Sequence, residues 1–255
     1  VIGTLFSCID SHIPKTKKAL NLISDAFNRA YLTNFGPFER KLSEDISEFI
    51  GVKKVILVNN ATFGLEMAIA TATKENPDKQ ILTTPYSFLA TSTAIARNRN
   101  PVKFVDINID SLLADFGKED LTDMVCVDTH VYGFASSLLN NNKKQNQQNV
   151  FDAAHCFDVF VDGKHITNTE DISVISCHAT KLFHTVEGGI VVSKNLDHLA
   201  EIKERSSFGK DDFEVKIAGN GKMSEIHAAI GLANLSEINQ IMENRNELRE
   251  LYNSI

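Results

Sequence analysis

With 255 residues, 43% of them hydrophobic and 23% charged, the chain has the proportions of a globular protein and the length for one large α/β domain. Its 33 acidic residues outnumber 26 basic ones, for a net charge of -7, so it lacks the basic footprint of a nucleic-acid binder. Every apolar run is broken by Lys, Asp or Asn short of a membrane span.

At the N-terminus, Val1 to Cys8 carries no basic region and is too short for a signal peptide; with no initiator Met, this end reads as incomplete or processed. The four cysteines, Cys8, Cys126, Cys156 and Cys177, form no C-x-x-C pair and lie in or beside apolar segments. That usage suits buried free thiols in a reducing cytoplasm. The histidines show no H-E-x-x-H or finger spacing, so no metal is expected. Phe38, Leu42, Ile46 and Phe49 recur at helical spacing before Gly51, which predicts a helix that ends there.

Short β-rich runs then alternate with helical patterns. The runs are 55–58, 81–84, 102–105, 124–127, 150–151, 173–176 and 189–192. Most are continuously apolar rather than alternating, as expected of strands covered by helices on both faces. A helix rich in Ala, Leu and Met is predicted over 61–73, with Asn60 or Thr62 available to cap it. The polar tract 140–149 reads as a solvated loop or frayed helix. From Ser224 onward a helical pattern dominates. The expected fold is therefore an α/β layer with a mostly parallel central sheet. Residues 1–222 would form the large domain and 223–255 a terminal helix.

Ligands of open α/β sheets bind beyond the carboxyl ends of the parallel strands, so the polar residues there matter most. Four places stand out. Asn59-Asn60-Ala61-Thr62-Phe63 leads from a strand into a helix whose first amides can hold a phosphate, or can simply be capped. Phe88 follows the second strand and can stack on a flat ring or pack in the core. Asp152 ends an apolar strand, where a buried carboxylate needs a cationic or hydrogen-bonded partner unless it is a helix N-cap. Lys181 lies between two strands beside Leu182 and Phe183, where loss of hydration would lower its pKa and free its amine as a nucleophile. None of these is specific alone. In this order they are the parts needed to bind pyridoxal phosphate.

Longer segments sharpen the pattern. They are Leu32-Thr33-Asn34-Phe35-Gly36-Pro37, Asn60-Ala61-Thr62-Phe63-Gly64-Leu65, Pro85 to Thr91, Pro101 to Ile107, His130-Val131-Tyr132-Gly133, Asp152-Ala153-Ala154-His155, Ser176 to Lys181 with Glu187-Gly188-Gly189, and Gly219 to Glu225. Through them the chain strongly resembles the DegT/DnrJ/EryC1/StrS family of sugar-nucleotide aminotransferases over nearly its whole length. Gly219-Asn220-Gly221-Lys222 is not a P-loop, because Met223 stands where Ser or Thr is required. Ala61 replaces the family's usual glycine, Asp158 stands where its pattern has another, and the 140–149 tract is short.

The resemblance implies the aspartate aminotransferase-like fold of type I pyridoxal-phosphate transferases, with the smaller C-terminal domain missing or cut short at Ile255. By the same resemblance Lys181 would form the Schiff base and move the proton, and Asp152 would pair with the pyridinium nitrogen. Phe88 would stack on the ring and His155 would sit near its phenolic oxygen. Thr62, the amides of Ala61 and Phe63, and Ser176 would hold the phosphate. Asn220 would reach the phosphate of a partner in a homodimer with shared active sites. The implied activity moves an amino group from L-glutamate to C4 of a dTDP-linked 4-keto-6-deoxyhexose, in the cytoplasm. Alternatives are a UDP-linked or 3-keto acceptor, or a non-catalytic regulatory relative.

Overall fold

The computed structural model describes residues 12–139, 142–209 and 217–255. Helices α1 (Thr16–Asn28) and α2 (Pro37–Ile50) come first. Pro37 fits the first turn of α2, where its missing N–H costs nothing, and Gly51 ends the helix in the left-handed conformation at φ 76°. Strand β1 (Val55–Val58), helix α3 (Ala61–Ala72), strand β2 (Ile81–Thr83), helix α4 (Leu89–Asn98) and strand β3 (Val102–Phe104) follow. Next are β4 (Val125–Thr129), β5 (Gln148–Asp152), a small hairpin of β6 (Phe160–Val161) and β7 (Lys164–His165), then β8 (Ile172–Ser176) and β9 (Gly189–Val192). Helices α5 (Leu196–Arg205), α6 (Glu225–Leu235) and α7 (Ile238–Asn253) complete the described order.

Seven strands form one sheet in the order β1-β9-β8-β5-β4-β2-β3. Strand β9 runs antiparallel to both of its neighbours, while the β8-β5-β4-β2-β3 pairs are parallel. The mostly parallel sheet expected from the sequence is present. All four residues of β1 are buried, for a simple reason. Val55 and Leu57 belong to the core shared with α2 and α6, while Ile56 and Val58 belong to the core on the opposite face shared with α3 and α5. A strand covered on both sides gains from an apolar residue at every position.

Three expectations change. The polar tract is not wholly a loop: β5 begins at Gln148, and Gln147 and Asn149 are buried. Gln147 Nε2 donates to Asn149 Oδ1 at 2.8 Å and Gln147 Oε1 accepts the Lys144 amide at 2.9 Å, which offsets part of the cost of so polar a sequence entering the sheet. Residues 140 and 141 of that tract, like Cys8, lie outside the described residues. The single terminal helix is two helices. Between them Glu237 accepts the Lys15 amide at 3.0 Å and faces His12 at 3.5 Å, which ties the N-terminal segment down. Finally, Asp158 is not among the residues with positive φ, so its backbone does not require glycine. Cys126, Cys156 and Cys177 are buried free thiols, as expected, and burial pushes the first two up to about 12.

Candidate active site

Because β9 is antiparallel to both β8 and β1, the carboxyl ends of β1, β2, β4, β5 and β8 share one edge of the sheet. A cleft of about 580 Å³ opens there. Ala61, Thr62, Phe88, Asp152, His155, Ser176 and Lys181 all line it. Phe63 and Asn220 do not; they line a separate hollow with Arg97.

The reason lies in the first turn of α3. Asn60 rather than Thr62 is the N-cap, its Oδ1 accepting the Phe63 amide at 2.8 Å. The Phe63 N–H expected to meet a phosphate is thus engaged, while Ala61 and Thr62, whose amides lack intrahelical acceptors, line the cleft. The Phe63 ring turns away to cover Gly221, where a methyl group would lie 1.9 Å from Cε1. Asn220 is held nearby, its carbonyl accepting Asn59 Nδ2 at 3.3 Å and its Oδ1 accepting Lys222 Nζ at 2.6 Å.

Asp152 ends β5 and is 3% exposed. No helix follows it, so it is not an N-cap. Its Oδ1 accepts the Ala154 amide at 3.1 Å and its Oδ2 the Thr91 hydroxyl at 2.6 Å. Burial raises its pKa; Thr91, Ala154, His155 and Lys181 oppose that rise. Lys181 sits in the loop after β8, its amide bonded to the His178 carbonyl at 2.9 Å. Burial lowers its pKa, against the pull of Asp152. The pKa of His155 is lowered by burial and by Lys181, and its ring lies parallel to Tyr132 at 6.1 Å between centroids. Phe88 stands open at the cleft, 76% exposed. Ser176 accepts the His178 amide at 3.3 Å.

Other lining residues had no role in the sequence reading: Tyr86, Ser87, Thr129, Tyr132, His178 and Glu187. Several of them belong to the quoted motifs, and only the fold turned them inward. Among the described residues, the Ser87 and Thr129 hydroxyls are buried without a partner. Buried unpaired hydroxyls are costly, so this wall suits a polar occupant. The donor set fits pyridoxal phosphate: a half-buried lysine, a buried carboxylate and the free amides of a helix N-terminus face one cavity.

A sheet of this topology with such a cleft at its carboxyl edge defines the class of pyridoxal-phosphate transferases. The chain belongs to the DegT/DnrJ/EryC1/StrS aminotransferase family, whose profile it matches over residues 14–255. It is 32% identical over 245 residues to the dTDP-4-amino-4,6-dideoxy-D-glucose transaminase of Shigella dysenteriae, covering 92% of this chain and 65% of that protein. It is 29% identical to a UDP-4-amino-4,6-dideoxy-N-acetyl-beta-L-altrosamine transaminase of Campylobacter jejuni, covering 95% and 68%. A putative PLP-dependent aminotransferase from Bacillus cereus superposes with a TM-score of 0.84 at 26% identity, over 96% of this chain and 70% of that one. The chain thus spans about two thirds of the length of the curated relatives it matches.

Proposed function

We propose that the protein is a pyridoxal-phosphate aminotransferase that moves an amino group from L-glutamate to C4 of a dTDP-linked 4-keto-6-deoxyhexose. The observation that carries this reading is Lys181 and Asp152 facing one cleft beside the open amides of α3. The Shigella relative supports the dTDP-linked acceptor. The Campylobacter relative supports a UDP-linked acceptor as the second reading.

When bound, the cofactor carries the amino group between donor and acceptor and spreads the charge left by removal of a Cα proton. The chain's own residues do the rest. The Ala61 and Thr62 amides, with the Thr62 and Ser176 hydroxyls, bind the phosphate at the positive end of the α3 dipole. Lys181 Nζ anchors the cofactor. Because burial disfavours its ammonium form, that nitrogen can take the donor's Cα proton and return it. Asp152, its carboxylate held by the Thr91 hydroxyl and the Ala154 amide, would face the ring nitrogen and hold a proton there. Phe88 covers a ring face and excludes water, and His155 sits beside the ring.

Among the described residues lining the cleft, Lys181 is the sole Lys or Arg. A nucleotide diphosphate and the two carboxylates of glutamate need several cations. A second copy of the chain is the source this reading assigns, with the Asn220 segment reaching its phosphate site in a homodimer.

The test is the visible absorption of the purified protein with pyridoxal phosphate, before and after glutamate. A yellow band that bleaches supports the cofactor and the donor. Assays with dTDP- and UDP-linked keto sugars then separate the acceptors. A folded protein that shows no band would overturn the reading.

A further inference from the structure

Among the described residues, the side-chain donor that reaches Asp152 is Thr91, whose Oγ1 lies 2.6 Å from Oδ2. Thr91 is fully buried and lies in the first turn of α4, which begins directly after Phe88. A helical threonine hydroxyl commonly returns to a carbonyl of the preceding turn. This one crosses to the end of β5 instead. One helix turn therefore carries both the ring expected to cover the cofactor and the hydroxyl that holds the carboxylate, and the Thr91 amide is bonded to the Phe88 carbonyl at 3.1 Å.

We infer that Thr91 is the positioning residue for Asp152: its hydroxyl fixes the carboxylate and aims its open lone pairs into the cleft, toward the ring nitrogen of a bound cofactor. The inference rests on the functional reading above, in which Asp152 faces that nitrogen. An ionised carboxylate has about four acceptor directions. Thr91 and the Ala154 amide occupy two and fix the plane of the group. The remaining directions are left for a donor in the cleft.

The electrostatic setting makes the hydroxyl consequential. Burial disfavours the anion. Of the groups that oppose it, Thr91 comes first, ahead of the Ala154 amide, His155 and Lys181. On the neighbouring strand, Asp128 is buried too: burial pushes its carboxyl up to about 6, and the charge of Asp152 adds to that rise. Cys156 lies close as well, its thiol held neutral by burial. Without the Thr91 hydroxyl, the buried carboxyl would keep its proton to higher pH.

The experiment compares the full chain with Thr91→Val, which keeps the shape without the hydroxyl, and Thr91→Ser, which keeps the hydroxyl. In cofactor-free protein the Asp152 carboxyl is titrated by carbon-13 NMR, with Asp152→Asn to assign the resonance. Pyridoxal phosphate affinity is measured in parallel by absorption. Thr91→Val is expected to raise the carboxyl midpoint by about one pH unit or more and to weaken cofactor binding by about tenfold or more, as loss of a hydrogen bond to a charged group implies. Thr91→Ser is expected to restore both. An unchanged titration in Thr91→Val, or failure of Thr91→Ser to restore it, overturns the inference. Should Thr91→Val not fold, Thr91→Ala reads the same titration. A wild-type protein with no cofactor band would sink the functional reading instead, and the carboxyl titration would still decide the Thr91 contact.

Discussion

The carboxylate of Glu225 closes directly over Gly36: a methyl group at position 36 would lie 2.4 Å from Glu225 Cδ. That carboxylate accepts the amides of Phe38 at 2.8 Å and Glu39 at 2.9 Å, supplying from α6 the cap that Gly36 cannot give α2. The Glu225 amide in turn donates to the Leu32 carbonyl at 3.0 Å. Two motif segments far apart in the chain are one structural unit.

Substituting either partner should therefore be costly, and the costs should not add. Gly36→Ala forces the carboxylate aside at about 1–3 kcal/mol, and Glu225→Ala strands two helix amides at about 2–4 kcal/mol. In the double variant the methyl group has nothing to displace, so urea unfolding should show a combined loss well below the sum. Strict additivity would refute the contact.

Glu39 predicts a pH dependence of stability. Burial pushes its carboxyl up to about 7, with Glu225 adding to the rise and Lys203, Arg40 and Lys54 opposing it. A carboxyl whose folded pKa is raised contributes stability below its unfolded value, and that contribution is lost as pH rises through the folded value. The loss falls between roughly pH 4.5 and 7 and is on the order of 3 kcal/mol. Glu39→Gln should flatten this part of the stability–pH curve in unfolding titrations at pH 5 and 8. Parallel curves for the two proteins would contradict the assignment.

Lys181→Ala should leave the fold intact, because it removes a cation that burial already disfavours, yet abolish the visible cofactor band. Asp152→Asn should keep some cofactor but lose about 100-fold or more of turnover, the scale of removing one preorganised electrostatic group. A persisting band in the first variant would assign another lysine. Near-normal turnover in the second would exclude Asp152 as the ring-nitrogen partner.

Asn60→Ala should cost about 1 kcal/mol through loss of the α3 cap. It also releases the Phe63 amide, which Asn60 now occupies. If Ala61 and Thr62 supply the phosphate-binding amides, cofactor affinity should change by less than about fivefold once the fold is held. A large gain in affinity would mean that the Phe63 amide can serve the phosphate after all.

Much of this was legible in the residues. Most strands of the sheet follow from apolar runs that a doubly covered sheet explains, although the edge strand β3 is exposed along its length, and Lys181, Asp152 and Phe88 stood out by their positions at strand ends. The β6-β7 hairpin was missed because its strands have two residues each. Its signal was Asp162-Gly163, whose positive φ values of 50° and 74° suit the tight turn. The start of β5 was missed because a buried Gln or Asn depends on hydrogen bonds such as those from Gln147 to Asn149 and from Lys144 to Gln147, and composition does not record pairings.

Periodicity and residue chemistry determined the elements, the mostly parallel layer and the residues at its carboxyl edge, because burial and backbone geometry act locally along the chain. Tertiary structure alone decided that β9 runs antiparallel between β8 and β1, and that the Phe63 ring covers Gly221. It also decided that Glu225 caps α2 and that Thr91 reaches across to Asp152. Each of these is a contact between segments set by the packing of two faces, and a hydrogen bond across such a distance leaves no period or composition in the chain that makes it.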